Sequence, residues 1–308
     1  KKIFNLLVKN KCKHFFVATL EEGLEINNKN KNIYIYILNG LQNYKIEKFS
    51  DNNLIPIINS ISELKKVYKS NIVYGLHIDT GINRLGIDHK NLPKFVFKIK
   101  NIKTVISHLA SADEKKNEYN KIQIQRFREL RNNFKNKKII FSLSNSNGTT
   151  LGKSYLFNMI RPGIGLYGGN NNNKNLKRNI KSVVKLIAKV IQIKKINANE
   201  YIGYNQTFKT NKDIKIAIIG IGYADGIPRR LSNKGTVFYK NNTFKVIGRI
   251  SMDSLTIDIS KNKHNLKVGN YIELINYKFD IEKFANECGT ISNEVITSIG
   301  SRVKIEYV

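Results

Sequence analysis

Four groups of residues in this 308-residue chain have the types and spacing for chemistry on an anion. Around Arg161 the sequence runs I-R-P-G-I-G-L-Y-G-G from Ile160 to Gly169. Arg161 is a fixed cation, and Pro162 has no N–H and forces a turn. Gly163 and Gly165 carry no side chain, so the N–H groups here, including that of Ile164, can approach a negative ligand closely. Asp79, Thr80 and Arg84 follow the apolar run Ile72–Ile78. His108 lies on Thr104–Leu109, and Asn145 and Ser146 follow Ile139–Leu143. Each has an ordinary structural reading taken singly: Asp79 as a turn cap, Ser146 as a loop hydroxyl, His108 as a satisfied core histidine. Together they supply two cations, a histidine and several donors, without an acidic cluster for a metal. That combination suits an anion.

The elements that must position these groups are read from periodicity. Lys1–Lys9 places Ile3, Phe4, Leu6, Leu7 and Val8 near one helical face. Phe15–Ala18 is a short strand, and Thr19-Leu-Glu-Glu22 is a capping box that starts a helix. Ile33–Leu38 and Leu54–Ile58 are strands, and Ser60–Glu63 caps a helix ending near Ser70. Strands at Ile72–Ile78, Thr104–Leu109 and Ile139–Leu143 follow, with helices near Leu92–Ile99 and over Glu114–Phe134. Apolar residues from Tyr155 to Ile160 read as a last strand ending at Arg161. Apolar strands alternating with helices predict a parallel sheet covered by helices. These seven strands are one short of the eight of a (β/α)8 TIM barrel. Residue 1 is Lys and the 2 methionines are Met159 and Met252, so the expectation is that the first strand lies upstream of Lys1.

After Gly169 the texture changes. Asn170–Asn179 reads as a polar linker. Strand patterns then recur without long helices: Val183–Ile196, Ile214–Ile219, Thr236–Tyr239, Phe244–Ile250, Leu255–Ile259, Tyr271–Ile275 and Arg302–Tyr307. Only Asp280–Cys288 reads as helix. The division expected is a barrel domain over residues 1–169 and an all-β domain over 170–308.

Composition bounds the function. With 41% hydrophobic residues the chain can bury a large core. No apolar run is long enough to span a membrane, and no secretory signal is visible. Cys12 and Cys288 stand far apart, outside any metal-binding or disulfide pattern, which fits a reducing cytoplasm. The net charge of +30 is that of a nucleic-acid binder. However, Lys, Asn and Ile are abundant everywhere, including the turns Asn170–Asn173 and Lys261–Asn265, a bias that resembles proteins of AT-rich genomes. No basic stripe with interleaved aromatics forms, so an enzyme is preferred over a nucleic-acid partner.

Several motifs together resemble the alanine racemase family. They are I-D-T-G-I-N-R-L-G (Ile78–Gly86), S-H-L-A-S-A-D (Ser107–Asp113), S-N-S-N (Ser144–Asn147) and the Arg161 motif. They continue with I-G-Y-N-Q-T-F (Ile202–Phe208), G-I-G-Y-A-D-G-I-P-R (Gly220–Arg229) and G-R-I-S-M-D (Gly248–Asp253). The ordered set is far more specific than any one member. The resemblance implies pyridoxal 5'-phosphate as cofactor and interconversion of L- and D-alanine, supplying D-alanine for peptidoglycan. Ser146 and the N–H groups of Gly163 and Ile164 would hold the phosphate. Arg161 would face the pyridine nitrogen; since a guanidinium keeps its proton, the ring would stay a weaker electron sink, favouring racemisation over transamination. Tyr204 would be the base for the L-enantiomer, with His108 lowering its pKa through a hydrogen bond and cationic surroundings. Arg84 and the backbone of Met252 would bind the substrate carboxylate, and Tyr223 would narrow the entrance. The resemblance further implies a homodimer with shared sites.

The chain departs from the family's pattern in three places. The cofactor lysine, which is also the second base, normally sits on the first strand, so the expectation is that it lies upstream of Lys1 and that residues 1–308 alone are inactive. His77 stands where many relatives carry a lysine whose carbamate orients the equivalent of Arg84. Ser301 or a neighbour replaces a tyrosine that helps hold the phosphate in some relatives. The alternatives are a non-catalytic pyridoxal phosphate carrier, against which the Tyr204 half of the chain argues, and a racemase of another small amino acid such as serine.

Overall fold

The structure is a computed structural model that describes residues 1–27, 30, 32–262 and 264–308. The chain forms two compact units, Lys1–Gly163 and Ile164–Val308.

The first unit alternates helices and parallel strands: α1 (Lys2–Lys9), β1 (His14–Val17), α2 (Leu20–Ile26), β2 (Tyr34–Ile37), α3 (Glu47–Ser50), β3 (Leu54–Ile58), α4 (Ile61–Val67), β4 (Tyr74–Asp79), β5 (Ile87–Asp88), β6 (Ile102–Ile106), α5 (Tyr119–Asn133) and β7 (Ile140–Ser142). The sheet is an open path in the order β1-β2-β3-β4-β6-β7, with β5 added beside β4. Its strands are apolar on both faces, as burial on both sides requires. Tyr36, Ile55, Ile57 and Ile106 pack together on one face. Leu54, Ile58, Leu76, Val105 and Phe141 join the larger core on the other. The Thr19 capping box forms in full: Thr19 Oγ1 accepts from Glu22 N–H at 3.3 Å, and the Glu22 carboxylate accepts from Thr19 N–H at 3.3 Å. At α4 only half a box forms. Ser60 Oγ accepts from Glu63 N–H, but the Glu63 carboxylate turns to Leu41 N–H at 2.7 Å and Asn59 N–H at 2.8 Å.

Two expectations in this unit are corrected, and a third is made more specific. The apolar run Tyr155–Ile160 is no strand: a 3-10 turn covers Lys153–Tyr155, and only the single bridge Asn145–Arg161 extends the sheet. Ser144 explains part of this, because its Oγ donates to Tyr155 O at 2.9 Å and folds the segment inward. The helix expected near Leu92–Ile99 forms as a 3-10 helix (Lys94–Lys98) begun by Pro93. The long helix starts at Tyr119, where Asn117 Oδ1 accepts the free N–H, and not at Glu114.

The second unit contains α6 (Lys174–Lys177), β8 (Leu186–Ile196), β9 (Tyr201–Ile202), β10 (Phe208–Lys209), β11 (Ile214–Ile219), β12 (Thr236–Tyr239), β13 (Asn242–Ile247), β14 (Leu255–Asp258), β15 (Tyr271–Ile275), α7 (Ile281–Cys288) and α8 (Ser292–Ser298). Six strands close into an antiparallel barrel in the order β11-β14-β13-β12-β15-β8, with β8 pairing back onto β11. Leu186, Ala188 and Val190 of β8 point into its core, alternating with outward residues. The run Arg302–Tyr307 is not a strand, and the helix α8 stands where none was expected. The polar stretch after Gly169 is also ordered: Asn173 caps α6, and the Glu282 carboxylate accepts N–H groups of Asn170, Asn171 and Asn172. Of the expected turn Lys261–Asn265, residue 263 lies outside the described residues. No helix among the described residues is long and apolar enough to cross a membrane.

Candidate active site

The first unit gathers four of the expected residues at the C-terminal ends of β6 and β7. Arg161 is anchored on both ends at once. Its Nη1 donates to the backbone oxygen of Ser142 at 2.8 Å and to Ser142 Oγ at 2.5 Å, and its Nη2 donates to Ser107 O at 2.5 Å. The guanidinium also lies 5.7 Å from the ring centre of Phe16 on β1. Burial pulls its pKa down to about 10, which still leaves it charged at neutral pH. All three anchoring oxygens are neutral, and Arg161 forms no ion pair among the described residues. A half-buried cation without a carboxylate is partly desolvated and suits an anionic or electron-rich partner.

Ser146 and Gly163 lie beside it. Ser146 is 4% exposed, and its Oγ accepts Gly163 N–H at 2.9 Å. A Cβ built on Gly163 meets no atom within 4 Å, so the backbone there borders open space. Asn145 links this pair to His108. Its Oδ1 accepts from Gly148 N–H at 2.9 Å, which turns its Nδ2 toward His108 Nε2 at 3.5 Å. His108 is therefore approached by a donor. Burial, and then the nearby charges of Arg161 and Arg84, push its pKa down to about 3. The imidazole is neutral, and the positive field around it is that of Arg161 and Arg84.

Arg84 is exposed on the loop after β4 and makes no ion pair among the described residues. His77, inside the sheet below that loop, is held by Asn59. The Asn59 Nδ2 donates to Leu38 O at 2.8 Å and Ile57 O at 2.9 Å. Its Oδ1 is therefore the acceptor for His77 Nδ1–H at 3.0 Å, and His77 Nε2 is buried with no partner. Burial, then Arg161, pushes this imidazole down to about 4 despite the opposing charge of Asp79. Sequence reading missed Asn59 because an Asn at a strand end is usually a turn residue; its link to His77 spans two strands.

The second unit gathers the others at one end of the closed barrel. Tyr204 stands on a 3-10 turn between β9 and β10 and is 65% exposed. Gly203, at φ +79°, presses this turn onto residues 248–249: a Cβ there would sit 2.8 Å from Arg249 N. The turns carrying Tyr223 and Met252 are zipped together, Tyr223 N–H donating to Ser251 O at 3.1 Å and Ala224 N–H to Met252 O at 3.0 Å. Tyr223 and Met252 side chains are both exposed. Ile164, the remaining expected phosphate ligand, is buried in this unit. Arg302, read as strand in the sequence, instead pairs with Asp225 and Asp253 behind the two turns. No pattern in the sequence marks that triad, since its members are far apart in the chain. Ser301 is exposed.

A parallel α/β sheet that holds a half-buried arginine on neutral oxygens, followed in the same chain by a closed antiparallel β barrel with exposed tyrosines, is the two-domain architecture of a known enzyme class. The alanine racemase N-terminal domain family matches residues 2–171, and the alanine racemase C-terminal domain family matches residues 183–307. Alanine racemase of Rickettsia bellii is 36% identical over 99% of this chain and 77% of its own length. That of Brucella abortus is 35% identical over 96% of this chain and 81% of its own. Among solved structures, alanine racemase from Bartonella henselae with covalently bound pyridoxal phosphate superposes with a TM-score of 0.92 at 34% identity, covering 100% of this chain and 88% of that one. Biosynthetic alanine racemase from Pseudomonas aeruginosa gives 0.84 at 25% identity, covering 98% and 86%. The chain belongs to the alanine racemase family.

Proposed function

We infer that this protein interconverts L-alanine and D-alanine with pyridoxal phosphate, and that its product is D-alanine for peptidoglycan. The observation that carries the reading is the half-buried Arg161, anchored on neutral oxygens, near Ser146 bonded to Gly163, whose backbone borders open space. This donor set fits the cofactor: a hydroxyl and backbone N–H groups for a phosphate, and a permanent cation for an electron-rich ring nitrogen. Ser146, Gly163 and Ile164 would hold the phosphate, and Arg161, which keeps its proton, would face the ring nitrogen. When bound, pyridoxal phosphate draws electrons from the α-carbon and so acidifies its hydrogen.

The chain's own residues do the rest. Arg84 and the N–H of Met252 bind the substrate carboxylate, fixing the α-carbon. Tyr204 takes the α-proton of L-alanine on its phenolic oxygen and returns it in the reverse direction. A free tyrosine has a pKa of about 10, so it works as a base only beside positive charge and a hydrogen-bond partner. His108 is that partner, in its neutral form, within the field of Arg161 and Arg84. The resemblance gives the opposite face of the α-carbon to the cofactor lysine. Tyr223 narrows the entrance and selects a small side chain. The domains divide at 1–169 for the cofactor and 170–308 for the β domain, and the working unit is a cytoplasmic homodimer in which Tyr204, Tyr223 and Met252 serve the partner's cofactor.

The test is direct. The gene's full-length product, supplied with pyridoxal phosphate, is assayed for D-alanine formed from L-alanine with a D-amino-acid oxidase couple. Turnover of alanine well above that of serine supports the reading. Bound cofactor with no turnover of any small amino acid would leave a carrier in its place.

A further inference from the structure

We propose that Arg302 is a positioning residue that locks the turns of Tyr223 and Met252 into one rigid edge, and thereby sets selection for a small substrate side chain. The proposal rests on the roles given above to Tyr223 and Met252. Three sequence-distant segments meet at this arginine. Its Nε lies 3.3 Å from Asp225 Oδ1, and its Nη1 lies 2.7 Å from Asp253 Oδ1. Asp225 belongs to the Tyr223 turn and Asp253 directly follows Met252.

Each carboxylate ties Arg302 to a working turn. Asp225 is buried, and its Oδ2 accepts Gly222 N–H at 2.9 Å, closing the Tyr223 turn on itself. With one oxygen committed to its own turn and the other to Arg302, it converts the position of the guanidinium into that of Tyr223. Asp253 is exposed, so its pairing alone is worth little; as the second arm of a bridge it sets the distance between the two turns. The two backbone bonds from Tyr223 and Ala224 to Ser251 and Met252 run parallel to this bridge. Contact between the turns is as close as a backbone permits. A Cβ on Gly222 would sit 2.4 Å from both Met252 O and Ser251 O. The segment bearing Arg302 is itself seated on the Tyr223 turn: Gly300 N–H donates to Asp225 O at 3.4 Å, and a Cβ on Gly226 would sit 2.3 Å from Ser298 O.

Side chains that are exposed gain precision only from the backbone beneath them. Tyr223 is 42% and Met252 is 52% exposed, so little packing holds either ring or thioether. The bridge therefore fixes what burial does not. A shift of about 1 Å at groups that position substrate costs up to roughly 100-fold in rate.

The test uses the full-length protein loaded with pyridoxal phosphate, and compares Arg302→Met, Arg302→Lys, Asp253→Asn and the Arg302→Met/Asp253→Asn pair. Expected for Arg302→Met is a KM for alanine raised about 10-fold, a smaller fall in kcat, and a several-fold loss of discrimination between alanine and 2-aminobutyrate. Arg302→Lys restores part of each. Asp253→Asn gives a weaker form of the same change, and the pair is no worse than Arg302→Met alone. Independently of activity, hydrogen exchange at the amides of Tyr223 and Ala224 quickens in Arg302→Met while that of β11 does not. Unchanged exchange at those two amides, or unchanged discrimination with exchange raised everywhere, overturns the proposal. If Arg302→Met does not fold, the same two readouts on Arg302→Lys and Asp253→Asn decide it. Failure of the parent protein to racemise alanine would instead strike the function proposed above.

Discussion

Ser146 and Gly163, 17 residues apart, meet through one hydrogen bond of 2.9 Å from the Gly163 N–H to the Ser146 Oγ. The bond joins the turn after β7 to the turn after Arg161, where the Gly163 backbone borders open space. Replacing Ser146 with Ala removes the hydroxyl. A hydrogen bond to a charged group contributes about 1.5–3 kcal/mol, so pyridoxal phosphate affinity is expected to fall about 10- to 100-fold. Gly163→Ala is expected to leave folding intact, because its Cβ meets nothing, yet to weaken the cofactor by filling the cradle. Absorbance titration with cofactor, beside thermal melts, checks both. Wild-type affinity in the two variants would remove these residues from the phosphate site.

Tyr204→Phe keeps the ring and deletes only the phenolic oxygen. Loss of α-proton exchange with deuterated solvent is expected to be greater starting from L-alanine than from D-alanine. Initial-rate exchange measured separately for each enantiomer reads this. Equal loss in both directions counts against the base role.

The buried His77 and the half-buried His108 should make the protein sensitive to mild acid. Their folded pKa values, about 4 for His77 and about 3 for His108, lie below the ordinary 6.5. The unfolded chain therefore takes up protons between those values that the folded chain refuses. Stability is complete above 6.5 and falls as the pH drops, by roughly 2 kcal/mol per histidine at pH 5. Urea unfolding at pH 7 and pH 5 is the measurement. His77→Gln and His108→Gln should each show a shallower fall than the parent, and identical slopes would mean the imidazoles are not buried neutral groups.

Gly222→Ala should disturb function more than any exposed position nearby. Its φ is −146°, an extended conformation open to any residue, so backbone strain plays no part. The obstacle is the 2.4 Å approach to two carbonyl oxygens of the Met252 turn. Displacement of that turn should lower kcat/KM about 100-fold and lower stability by about 1–3 kcal/mol, the usual cost of overpacking. Steady-state kinetics with a denaturation curve separates the two losses.

Arg161→Lys tests whether charge alone suffices. A single ammonium cannot span Ser107 and Ser142 as the guanidinium fork does. We expect stability to drop by about 1–3 kcal/mol in urea unfolding, with cofactor absorbance altered. An unchanged midpoint and spectrum would show that the fork is dispensable.

Much of this molecule was legible in its residues. Apolar runs bounded by caps located β1 to β4, β6 and β7 because strand periodicity and capping are local. Thr19 and Glu22 formed the box that their spacing specifies. The motifs at Asp79, His108, Ser146 and Arg161 stood out only as an ordered set, since each alone reads as an ordinary turn, loop or core residue, as Asp79 does in capping Gly81 N–H. Local reading failed where a tertiary bond outweighed local propensity. Ser144 draws Tyr155 inward, so the run before Arg161 contributes one bridge rather than a strand. Asp225 and Asp253 pin Arg302, and the following residues run on without strand pairing. Glu282 binds the Asn170–Asn172 backbone across more than a hundred residues, which turned a polar linker into an ordered turn. The protonation states were decided at the same level. Nothing beside His108 or His77 in the chain shows that each is neutral; burial and the approach of Arg161 from a segment distant in the chain make it so. Periodicity and motif spacing report what a residue needs from its neighbours in sequence, whereas desolvation and long-range hydrogen bonds depend on neighbours that only folding supplies.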